Sequence, residues 1–103
     1  MHMVWYKLDW GYIILGVARW TKSCQANTDY TMNTPEYGGL LLILNMSNPS
    51  STNGYVGVIQ GTNAVKIIQG ETISVSYSQT GKMTFRTTQT GAFGFCFVST
   101  YIS

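Results

Sequence analysis

Glycine turns that return every nine or ten residues constrain this chain more than any other feature of its sequence. Ile59-Gln60-Gly61 comes back as Ile68-Gln69-Gly70, and Gln79-Thr80-Gly81 comes back as Gln89-Thr90-Gly91. A short strand plus a tight turn fills such an interval, and glycine supplies the positive φ that hairpin turns need. Between the turns, apolar residues alternate with hydroxyls. Ile73, Val75 and Tyr77 fall on one face of a strand, and Thr72, Ser74, Ser76 and Ser78 on the other. Met83 and Phe85 oppose Thr84, Arg86 and Thr88 in the same way. Period two with one wet face is the pattern of half-buried antiparallel strands. No stretch of ten or more residues carries apolar positions at helical spacing. The second half therefore predicts five strands, near 54–60, 63–69, 71–79, 82–90 and 92–102.

The first half is less regular. Val4 to Leu8 and Tyr12 to Trp20 predict strands around an Asp9-Trp10-Gly11 corner, and the polar segment 21–39 predicts mostly loop with room for one short strand. Leu40 to Met46 is apolar on both faces, as a central strand should be, and the turn formers from Asn45 to Asn53 predict an exposed loop. The expected fold is all-β, an antiparallel two-sheet β-sandwich, jelly-roll-like, of about seven or eight strands. The last strand, Phe93 to Ile102, is expected inside a sheet. Phe93, Phe95 and Phe97 would face one side, Cys96 and Val98 the other, with Gly94 leaving room for a close neighbour.

A chain of 103 residues makes one domain. Met1-His2-Met3 reads as a cloning remnant, so that residues 4–103 are expected to be a single domain from the carboxy-terminal part of a longer protein. Cys24 sits in a polar stretch and Cys96 in an apolar one, which favours free thiols over a disulfide.

Charge is scarce. Ten residues are Asp, Glu, Lys or Arg, while 33 are Ser, Thr, Asn or Gln, and the net charge is only +2. Without a basic cluster, neither nucleic acid nor an anionic membrane is an expected partner. The apolar runs are far too short to cross a bilayer as a helix. One histidine, two separated cysteines and four scattered carboxylates offer no metal site, no activated nucleophile and no obvious acid–base pair, so catalysis and cofactors are not expected. Aromatics are the surplus, with seven Tyr, three Trp and four Phe. Aromatic faces stacked on a sugar ring, with amides and carboxylates holding its hydroxyls, are the usual way to bind a neutral glycan. Asp29, Tyr30, Tyr37, Asn53 and Tyr55 supply those groups and are the candidate ligand-binding residues. The low charge also predicts self-association, because strands apolar on both faces need cover that a thin sandwich cannot give.

Glu36-Tyr37-Gly38-Gly39 leading into Leu40-Leu41-Leu42-Ile43-Leu44, the Ser/Thr-rich strands from Thr72 to Thr90, and the closing Phe97-Val98-Ser99-Thr100-Tyr101-Ile102 resemble the carboxy-terminal head domains of bacteriophage tail fibres and receptor-binding proteins. The resemblance implies a homotrimer at the virion's tail tip that attaches to a saccharide on the host cell surface. A structural module for virion decoration or trimerisation, with no ligand of its own, is the alternative. No residue here matches a defined ligand motif of such heads.

Overall fold

The computed structural model describes the backbone of residues 2–8 and 11–99, and the side chains of residues 16–50 and 52–99. Within them the chain is almost entirely β. Nine strands run β1 (His2–Leu8), β2 (Gly11–Cys24), β3 (Tyr30–Asn33), β4 (Gly39–Asn45), β5 (Gly54–Gln60), β6 (Asn63–Gln69), β7 (Ile73–Gln79), β8 (Lys82–Thr87) and β9 (Gly91–Ser99). One 3-10 turn, Ser51–Asn53, interrupts the β4–β5 connection. All pairings are antiparallel. Six strands form a large sheet in the order β1-β2-β9-β4-β5-β6, and three form a small one, β3-β8-β7. The expected antiparallel two-sheet sandwich is the fold.

The hairpins follow the turn beat. Gly61 and Gly81 take φ of 61° and 79° and close β5–β6 and β7–β8 where the sequence placed them. The polar segment from residue 21 was expected as loop, yet β2 runs on to Cys24. The physical reason is its neighbour: Thr21, Lys22 and Ser23 find a complete ladder partner in Gly94, Phe93 and Ala92 of β9. Pairing early with late strands, β2 with β9 and β3 with β8, is the nested winding of a jelly roll. Further in, that winding gives way to plain hairpins, β5 beside β4 and β7 beside β8.

The core is aromatic and lies between the sheets. Phe93, Phe95 and Phe97 of β9, with Leu41 and Ile43 of β4, meet Met83 and Phe85 of β8 and Ile73 and Tyr77 of β7. Phe85 is the hinge of this packing, edge-on to Phe93 and Phe95 with ring centroids 5.1 and 5.2 Å apart. Such pairs contribute about 0.5–1.5 kcal/mol each beyond the area they bury. Trp20 closes the β2 side by stacking flat on Phe95, centroids 5.1 Å apart. β9 thus lies in the sheet interior with its three phenylalanines inward, as expected, while the last residues of the expected strand, to Ile102, lie outside the described residues. Both cysteines are free thiols.

Candidate functional site

The two sheets show opposite chemistry to the outside. On the small sheet, Thr31, Thr84 and Ser76 stand in register across β3, β8 and β7, with Ser74 beside Arg86 in the next row. Arg86 donates from Nη1 to Asp29 Oδ1 at 3.0 Å, with both side chains largely exposed. An exposed pair of this kind contributes only ~0–1 kcal/mol to stability. This is a solvated face.

The large sheet presents the reverse. Its outward positions alternate with the buried residues, and the register carries Val17, Val98, Leu40, Val58 and Val65 across five strands in one apolar row. The adjacent row runs Arg19, Cys96, Leu42, Val56 and Ile68. Leu40, Leu44, Met46, Val58, Val65, Ile67, Ile68 and Val98 are all exposed. Apart from Met46, just past β4, they extend across β4, β5, β6 and β9, four neighbouring strands of one sheet. Monomers seldom leave a contiguous apolar patch of that extent uncovered. Gly94, between Thr21 and Leu44, interrupts the face with a hollow of about 410 Å³. A Cβ added there would approach Met46 Sδ to 3.3 Å. Arg19, Leu42, Leu44, Met46 and Cys96 form the walls.

A second opening, about 480 Å³, lies where β2 and β3 part at the side of the sandwich. Trp20, Thr21, Lys22, Met32 and Asn33 line it. The indole Nε1 donates to Met32 Sδ at 3.2 Å, and Lys22 Nζ stands 5.1 Å from the centroid of the Tyr30 ring.

The five residues expected to bind ligand do not converge. Asp29 is exposed but engaged by Arg86. Tyr30 is half-buried and accepts the Gln25 backbone N–H at 2.7 Å. Tyr37 is 65% exposed, in the turn between β3 and β4 at the opposite end of the sandwich from Asp29. Asn53 and Tyr55 are only 1% and 2% exposed and belong to the interior. Asn53 donates from Nδ2 to the Asn48 carbonyl at 2.9 Å and accepts from Thr72 Oγ1 at 2.8 Å. Tyr55 lies in the space left by Gly57, where an added Cβ would collide with the phenol oxygen. Burial raises its pKa.

The segment 45–53, expected as an exposed loop, is tied down by its own amides. Asn45 Oδ1 accepts from the Ser47 and Asn48 backbone N–H groups at 3.0 and 2.9 Å, and Ser47 Oγ accepts from Ala92 N–H at 2.9 Å. These asparagines bind backbone, as such residues do in turns. What the sequence reading missed was the side cleft at Trp20, whereas the hollow at Gly94 lies where the glycine was expected to leave room for a close neighbour. The signal for the hollow was glycine alternating with large apolar residues in Phe93-Gly94-Phe95. Among the described residues, no three His, Cys, Asp or Glu side chains gather in a way that could hold a metal ion. Comparison with protein-family models, with curated proteins and with solved structures returns no match for this chain.

Proposed function

We propose that the chain is a non-catalytic assembly module that packs against copies of itself through the outer face of its six-stranded sheet. The observation that carries this reading is the apolar row from Val17 to Val65, set against a small sheet whose outer face is hydroxyls. A leucine and valine face in water costs free energy that association recovers, at about 25 cal/mol per Å² of area covered before the entropy of association is subtracted. The likeness to tail-fibre heads supplies the number three and the setting at a virion's tail tip. Light scattering at micromolar concentration tests the proposal. The expected mass is a multiple of 11.4 kDa, with three as the multiple, and a mass of one chain would reject it.

A second reading, attachment to a host cell-surface glycan, has its support in the side cleft. Trp20, Lys22 and Asn33 place an indole edge, a cation and an amide around one opening, a set suited to a hydroxyl-rich ligand. Binding of the purified protein to bacterial envelope polysaccharide is its test. Trp20→Ala should abolish that binding, and equal binding by Asn33→Ala and wild type would move the contact elsewhere.

A further inference from the structure

The apolar face is not flat, and its relief carries information about how two copies meet. This inference rests on the self-assembly reading above. The Gly94 hollow is lined by β2, β9 and β4, whereas β6, the edge strand of the same sheet, carries the most exposed apolar side chains of this face. Val65, Ile67 and Ile68 are 63%, 60% and 59% exposed, and a register shift opposite Val56 and Gly57 leaves Ile67 without a ladder partner. An edge strand with free backbone groups and exposed isoleucines is a liability unless something covers it.

Superimposing hollow on hollow would seal a double void into an interface, with the lining atoms losing their contacts. Edge against edge would set Lys66 of one copy near Lys66 of the next. Placing the edge of one copy over the hollow of another avoids both. Charge favours the same arrangement. Arg19 is on the wall of the hollow, and Glu71 follows Ile68 by three residues, in the turn between β6 and β7. Among the described residues neither has an ion-pair partner, the one salt bridge being Arg86–Asp29.

We infer that the Gly94 hollow of one copy receives Ile68 of a second copy, with Glu71 of that copy meeting Arg19 at the rim. The contact joins two different patches of one face, so a two-fold pair makes it twice, whereas a head-to-tail repeat can close as a ring, the route open to a trimer.

Cys96, in the wall of the hollow, provides the probe. In Ile68→Cys protein, mild oxidation should link the introduced thiol of one copy to Cys96 of the next, giving covalent species on a non-reducing gel that stop at the dimer for a two-fold pair and extend past it for a ring. The same variant carrying Cys96→Ser should give none, and Cys24 is buried and stays silent. Loss of the bands in the Cys96→Ser background supports the docking, and a ladder to three fixes the ring. If light scattering shows an intact oligomer but the links fail to form, or form equally without Cys96, the docking is overturned while self-assembly stands. The hollow is then left to another occupant, such as a small apolar ligand. A monomeric wild type would overturn both. Charge reversal gives a second measurement on the unlinked protein. Arg19→Glu and Glu71→Arg should each weaken association severalfold, and together they should restore it. Failure of the double variant to recover removes the Arg19–Glu71 contact.

Discussion

Tyr77 titrates far from where a free phenol would. Burial pushes its pKa up to about 12, with a neighbouring Tyr55 adding to the rise and the hydrogen bond with Thr34, 3.0 Å between the hydroxyls, working against it. The folded state therefore holds a proton that the unfolded chain releases near pH 10. Stability from this group is whole below about pH 10 and declines as pH rises toward 12. Tyr77→Phe should flatten that decline in urea titrations across the window, while costing about 1 kcal/mol at neutral pH because the buried Thr34 hydroxyl loses its partner. An equally steep alkaline decline in the variant would assign the effect to other groups. Phe95 makes a larger claim. It touches Trp20 on one side and Phe85 on the other, so Phe95→Ala should lower stability by about 3–5 kcal/mol, seen as an earlier denaturation midpoint. Phe95 was recognisable as core in the sequence because its neighbours alternate with small or outward residues. Tyr55 was not, since only the bare backbone of Gly57 makes room for its ring, and polar loop neighbours disguise its burial.

At the scale of elements, the connection between β4 and β5 behaves as a structural splint. Its polar side chains bridge distant strands through Thr72, Gln89 and Ala92. No buried side-chain nitrogen or oxygen among the described residues lacks a partner. Asn53→Ala should thus cost about 1–3 kcal/mol by orphaning the Asn48 carbonyl and leaving the Thr72 hydroxyl with only the Thr52 carbonyl to donate to. Unfolding curves check this, and a variant with unchanged stability would show that these contacts do not hold the connection in place. The hairpins were legible because local turn chemistry sets them: β5, β6 and the start of β8 fall on the expected residues. The length of β2 and the locking of the 45–53 loop were not. Both depend on partners about seventy and forty residues away along the chain, Phe93 for Lys22 and Gln89 for Asn48. Polar residues in a ladder look like polar residues in a loop until the partner strand is known.

For the whole molecule, the contrast between its faces makes a paired test. Leu40→Lys places a charge in the middle of the apolar row and should convert the proposed assembly to monomer in sedimentation, with the fold kept. Ser76→Lys, on the hydroxyl face, should leave the mass unchanged. Dissociation by both would mean that the interface is not confined to the large sheet, and an unchanged mass in Leu40→Lys would mean that it does not use this row. That the chain would expose an apolar face was readable from the run Leu40 to Leu44. Which strands would share that face was not, because sheet membership is decided by the nested pairing rather than by any local pattern. That pairing has a kinetic consequence. β9 is the central partner that joins β2 to β4, and Val17 meets Val98 across about eighty residues of chain. Closing so long a loop comes before any reward from the ladder, which places refolding in the slow, millisecond-to-second range typical of such topologies. On a ribosome, β2 and β4 emerge long before β9 and must wait with their apolar sides unshielded. The nascent chain, rather than the finished domain, is then the species most in need of a chaperone.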